Sequence, residues 1–124
     1  MNLTFKDNEH QKTFNEYLDR AGCSFKDLER TALLYILSSD DKYRRQIERF
    51  YNFKTGLINS DSLDDVILSG GERAILKLAY HLFTGSDKYS ATFCNTLDRL
   101  DNKNTEVVLN ALNIRFRINE RGYK

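Results

Sequence analysis

Apolar residues recur at helical spacing along most of this chain, and turn-forming residues interrupt them at intervals. His10, Phe14, Tyr17, Leu18 and Ala21 share one face of a helix that Asp7 can cap and Gly22 can stop. Ser24-Phe25-Lys26-Asp27 resembles a capping box and opens a second helix to about Ser38, with Leu28, Ala32, Tyr35 and Ile36 as its stripe. Residues 32–37 are nearly all apolar, which predicts that this helix is central. Ser39-Asp40-Asp41 begins a third helix to about Tyr51, with Tyr43, Ile47 and Phe50 on its inner face. Asn52 to Ser60 reads as a connector around Gly56. Within it Leu57-Ile58 anchors to the core or makes a short extended piece.

The second half repeats the pattern. Ser60 or Asp61 can cap a short helix through Val66. The strongest periodicity runs from Glu72 to Thr84, with Ala74, Ile75, Leu78, Ala79, Leu82 and Phe83 inside and Gly85 as the stop. A sixth helix reaches about Leu100 with Phe93, Leu97 and Leu100 in phase. After a polar loop at 101–104, a last helix from about Thr105 uses Val108, Leu112 and Phe116. Residues 114–118 also alternate with period 2, as a strand would, but they continue the phase of Val108 and Leu112, which favours helix. The expected fold is all-α: a compact bundle of six or seven short helices in a single domain over residues 1–124, with at most one minor extended segment.

Composition narrows the class without naming a function. The 124 residues suit one domain with a real core, and 40% hydrophobic with 30% charged residues is the balance of an ordinary soluble globule. There is no Pro, which suits helices joined by Gly, Ser, Asn and Asp turns. No apolar run is long enough for a membrane span, and the first residues lack an apolar signal core, so the expected location is cytoplasmic. Net charge is +1, which offers no global attraction for nucleic acid or membrane.

Chemistry-bearing residues are sparse. His10, His81, Cys23 and Cys94 show no metal-ligand spacing, so no metal or other cofactor is expected. His81 reads as a half-buried histidine bonded to a backbone carbonyl, and Cys94 as a small apolar residue. The doublets Asp40-Asp41 and Asp64-Asp65 sit at helix starts, where negative charge opposes the positive dipole end. No catalytic constellation emerges, and the chain is expected not to be an enzyme. Leu68-Ser69-Gly70-Gly71-Glu72-Arg73-Ala74 resembles the signature motif of ABC-type and SMC-type ATPases. That motif works only beside a phosphate loop, and this sequence has no Gly-Lys pair. The expected role is instead a helix cap, with Ser69 as N-cap and Glu72 completing a capping box.

Charge is uneven in two places. Lys42, Arg45 and Arg49 follow i, i+3, i+7 spacing on the third helix, with Arg44 at the edge and Tyr43 and Tyr51 flanking. Arg and Tyr are enriched at interface hot spots, so these six residues are the expected partner-binding face. Arg115, Arg117 and Arg121 form a secondary basic patch. An acidic protein surface or phosphate would complement either set.

Several short patterns occur in an order similar to that of an uncharacterised family of small proteins from bacterial mobile elements and prophages. They are Phe5-x-Asp7-x-x-His10, Leu33-Leu34-Tyr35-Ile36-Leu37, the Arg44–Phe50 segment, Gly56-Leu57-Ile58, and Leu78-Ala79-Tyr80-His81-Leu82-Phe83-Thr84-Gly85. The resemblance implies a genomic setting and no established activity. In that setting the expected function is a non-enzymatic interaction protein, an inhibitor that binds a host defence protein of CRISPR type. The alternative is a helical nucleic-acid-binding accessory protein.

Overall fold

The computed structural model describes residues 3–118. Along them run α1 (Asn8–Ala21), α2 (Leu28–Leu37) and α3 (Asp41–Arg44), then an antiparallel pair of two-residue strands, β1 (Tyr51–Asn52) and β2 (Leu57–Ile58). There follow α4 (Ser62–Asp65), α5 (Gly70–Thr84), α6 (Phe93–Leu97) and α7 (Asn102–Phe116). The fold is mostly α, as the periodicity predicts, and the small ladder is the extended piece expected at Leu57-Ile58.

Helix α2 is the axis. Every residue from Thr31 to Ser39 is buried, and α1, α5 and α7 pack around it. The stretch 32–37 is apolar on every side, and such a stretch is stable only when surrounded, because each large aliphatic or aromatic side chain gains about 1.5–3 kcal/mol by leaving water. The buried apolar side chains form one connected cluster that includes Phe14, Leu33, Tyr35, Leu76, Leu78 and Val108.

Tyrosines tie the layers together. Tyr35 donates its hydroxyl to the Thr4 carbonyl, and Tyr43 donates to the Glu72 carbonyl at 2.8 Å. Tyr80 meets the Ser62 hydroxyl at 2.6 Å, and Arg30 donates to the Tyr51 hydroxyl at 2.8 Å. A buried phenol brings a large apolar ring but requires a partner for its hydroxyl, and here the partner usually lies on another element.

Local structure departs from the periodicity in four places. Helix α2 begins at Leu28 behind an Asp27 cap, because Ser24 to Asp27 first closes a turn through the Asp27 amide and Ser24 carbonyl. The third helix is broken. It stops at Arg44, Gln46 takes a non-helical conformation, and a 3₁₀ turn spans Ile47–Arg49. Tyr43, Ile47 and Phe50 all face inward as expected, so helical spacing was preserved although the helix was not. Extended backbone at Tyr51 allows pairing with Ile58, and the Phe50 carbonyl accepts the Asn59 amide at 3.0 Å. Helix α6 is short and leaves Phe93 59% exposed, with Thr96 facing inward instead. Helix α7 starts at an Asp101 cap, so Asn102-Lys103-Asn104 is its first turn rather than a loop. Its buried face is Val107, Val108, Ala111 and Ile114; Leu112 is only partly covered and Phe116 is exposed. The 114–116 stretch is helical, not a strand.

Candidate functional site

The basic segment expected to bind a partner is held by its neighbours on both sides. Ser38 and Ser39 donate their hydroxyls to the Tyr35 and Ile36 carbonyls, closing the end of α2. Asp40 then caps α3 by accepting the Lys42 amide at 2.9 Å. Arg44 is drawn inward: it donates to the Ser38 carbonyl at 2.8 Å and pairs with Asp41 at 2.7 Å. It is therefore a brace rather than a contact residue.

Tyr43 and Tyr51 are each 1% exposed. Both belong to the core and present no ring to a partner, which corrects their placement on the binding face. Burial raises the Tyr43 phenol well above its ordinary value, so it remains a neutral donor to Glu72. Lys42 and Arg45 line an open recess together with Asp40, Asp41, Gln46 and Glu72. Three carboxylates therefore face two cations there. Arg49 lies beyond the break at Gln46 and outside this recess, so Lys42, Arg45 and Arg49 do not share one helix face. Arg45, with its side chain 79% exposed, reaches Asp41 only at 3.6 Å. Arg49 is exposed, as are Lys54 and Leu57 in the following hairpin. The hairpin is rigid for its size: Asn52 accepts the Lys54 and Thr55 amides, and Gly56 takes φ +70° to close it.

The secondary patch disperses. Arg115 donates to the Leu82 carbonyl at 2.9 Å and lies 3.6 Å from Glu29, half-buried between helices. Arg117 ends α7 in the left-handed conformation, and Arg121 lies outside the described residues.

Ser69 and Glu72 form the capping box: Ser69 accepts the Glu72 amide at 3.1 Å and Glu72 accepts the Ser69 amide at 2.7 Å. The glycines between them permit close packing. A Cβ on Gly71 would lie 3.1 Å from the Arg99 carbonyl oxygen, and one on Gly70 would lie 3.0 Å from the Arg99 guanidinium. The Ser-Gly-Gly pattern is thus accounted for by a cap and a helix crossing.

The histidines and cysteines are each locally engaged or isolated. His10 is fully buried between the Lys6 amide and the Tyr35 carbonyl. His81 contacts the Ser86 carbonyl at 2.8 Å, as its sequence context suggested. Burial raises the Cys23 thiol, whereas Cys94 is exposed rather than packed. Among the described residues no group of three His, Cys, Asp or Glu side chains is placed to hold a metal ion, and no helix is long and apolar enough to cross a membrane.

One arrangement was not anticipated. The first two turns of α5 and the segment running through α6 enclose a cleft of about 210 Å³ lined by Arg73, Lys77 and Arg99, with Gly70, Ser90 and Asn95 among the other residues. Arg73 and Lys77 are four apart on one helix and share a face. Arg99 comes from a segment whose position depends on how α6 crosses the start of α5.

Comparison with curated proteins and with solved structures gives no match. The order of short patterns from Phe5 to Gly85 agrees with a family assignment that extends to the ends of the fold. A family model matches residues 1–122, and the chain belongs to the family of unknown function DUF6075.

Proposed function

We propose that this protein acts by binding an acidic surface on a protein partner rather than by catalysis. The observation that carries the reading is the exposed basic bend after α3. Arg45, Arg49 and Lys54 are exposed on a segment pinned by Tyr43, Phe50 and Tyr51 in the core. Among the described residues no carboxylate pairs with Arg49 or Lys54, and Asp41 meets Arg45 only loosely. Exposed cations on a backbone already held by hydrogen bonds add no loop-ordering cost on contact, and they favour a partner of opposite charge. Leu57, 63% exposed on the same hairpin as Lys54, adds apolar area beside the charge. The proposed partner is a host defence protein that the chain inhibits; this choice rests on the resemblance to mobile-element and prophage proteins alone.

The test is charge reversal. Arg45→Glu with Arg49→Glu should abolish capture of the partner, both from a bacterial lysate and after the captured protein is purified. Melting should barely change, because exposed charges contribute roughly 0–1 kcal/mol each. The same pair of proteins should be assayed on duplex and single-stranded DNA at two salt concentrations. DNA binding that weakens steeply with salt and disappears in the variant would favour the nucleic-acid alternative. A variant that keeps every interaction of the parent would remove the basic bend from consideration.

A further inference from the structure

We infer that the cleft between α5 and α6 binds a phosphate dianion, either free or as the monoester of a small molecule. This site shares no residue with the basic bend and does not depend on the function proposed above. Its cationic lining carries the inference. Arg73, Lys77 and Arg99 line one concavity, and no carboxylate lines it with them. Among the described residues the side chains of Lys77 and Arg99 have neither an ion-pair nor a hydrogen-bond partner; Arg99 is engaged only through its backbone amide, which donates to the Thr96 carbonyl. Arg73 is anchored by the Leu63 carbonyl, and its nearest acid, Asp64, lies 3.8 Å away with its side chain 92% exposed. Three positive charges gathered in a recess repel one another, and low-dielectric walls strengthen the field they project. An anion relieves that repulsion, and guanidinium groups match phosphate oxygens in geometry.

The backbone brings Arg99 into place. Gly71 lets the Arg99 backbone approach the start of α5, where a Cβ would lie 3.1 Å from the Arg99 carbonyl oxygen, and the Arg99 guanidinium rests over Gly70, where a Cβ would lie 3.0 Å from its nitrogen. Asn95 and Ser90, both exposed on the opposite wall, can each supply a further polar contact. Two acids adjoin the cationic residues in sequence: Glu72 lines the other recess, beside Asp40 and Lys42, and Asp98 is exposed and is not part of the cleft lining.

Size selects the ligand. A volume of about 210 Å³ is smaller than the roughly 300–1,000 Å³ of sites that enclose drug-sized molecules. It accommodates a phosphoryl group with a short organic part, and any longer part of the ligand would extend into solvent past the exposed Ser90, Asn95 and Arg99.

The experiment is calorimetric titration of the full chain with inorganic phosphate and, separately, with glycerol 3-phosphate, at fixed ionic strength. Saturable binding with Kd on the order of 0.1–1 mM is expected for at least one of them. Tighter binding of the ester identifies a phosphorylated small molecule as the ligand; equal binding identifies phosphate itself. Lys77→Ala with Arg99→Ala should weaken binding at least about tenfold, with circular dichroism and melting unchanged. If the double variant melts lower, Arg99→Ala alone, an exposed change, provides the same comparison. Absence of saturation by about 10 mM of either probe overturns the inference, as does unchanged affinity in the variants. A duplex oligonucleotide that displaces the small probes and binds far more tightly would also overturn it, in favour of a nucleic-acid surface.

Discussion

Acid should unfold this protein partly through one side chain, His10. The ring is fully buried, and both its nitrogens are in use. The Lys6 amide, 3.0 Å from Nδ1, can only donate, so Nδ1 must accept. Nε2 therefore carries the proton and donates to the Tyr35 carbonyl at 2.8 Å. The neutral ring satisfies both neighbours, whereas a second proton on Nδ1 would point at the Lys6 N–H. Desolvation lowers the His10 pKa from 6.5 to about 4; the Tyr35 carbonyl and Asp7 oppose the shift, and Arg44 and Lys6 assist it. Between these two values the unfolded chain binds a proton that the folded chain does not. Stability from this residue is thus complete above pH 6.5 and is lost as pH falls toward about 4. At about 1.4 kcal/mol per pKa unit the loss amounts to roughly 3 kcal/mol, a large share of the total stability of a small domain.

Urea unfolding across that window, on the parent and on His10→Gln, measures the difference. The parent should lose stability more steeply than the variant by about this amount, with carboxylates contributing equally to both. The ring can also be followed directly by proton NMR, where the folded-state His10 signal should not titrate until well below its ordinary value. A His10 signal that titrates near 6.5, or parallel pH slopes in the two proteins, would refute the reasoning.

Leu78→Ala should cost roughly 2–5 kcal/mol in urea unfolding, because Leu78 is 1% exposed on the inner face of α5; a loss under about 1 kcal/mol would mean that the site collapses around the change. Ser69→Ala should cost about 1 kcal/mol by removing the cap at the start of α5, measured by thermal melting. Reversing Arg45 and Arg49 should remove partner capture with almost no change in melting, and removing Lys77 and Arg99 should do the same for phosphate.

The sequence by itself determined what depends on neighbours along the chain. Helical spacing located α1, α2 and α5 and identified α2 as central, because a run of apolar residues can be stable only when covered on every side. The Ser69 and Glu72 cap and the Gly22 and Gly85 stops were legible for the same reason: each bond closes within a few residues. Tertiary structure decided what depends on distant segments. Inward positions at Tyr43, Ile47, Phe50 and Tyr51 satisfy a helix and a broken segment equally; pairing of Tyr51 with Ile58 favoured the break. That break separated Arg49 from Lys42 and Arg45, and Tyr43 and Tyr51 are both in the core, so the basic face read from periodicity did not assemble as one helix surface. Packing of α7 against α2 decided that Val107 and Ile114 are buried and Phe116 is not. The cationic cleft arose in the same way. Arg73 and Lys77 were visible as neighbours on a helix, but Arg99 joins them only because the α6 segment crosses the start of α5, where Gly71 allows its backbone to come close. Periodicity reports which side of an element is covered, but not by what.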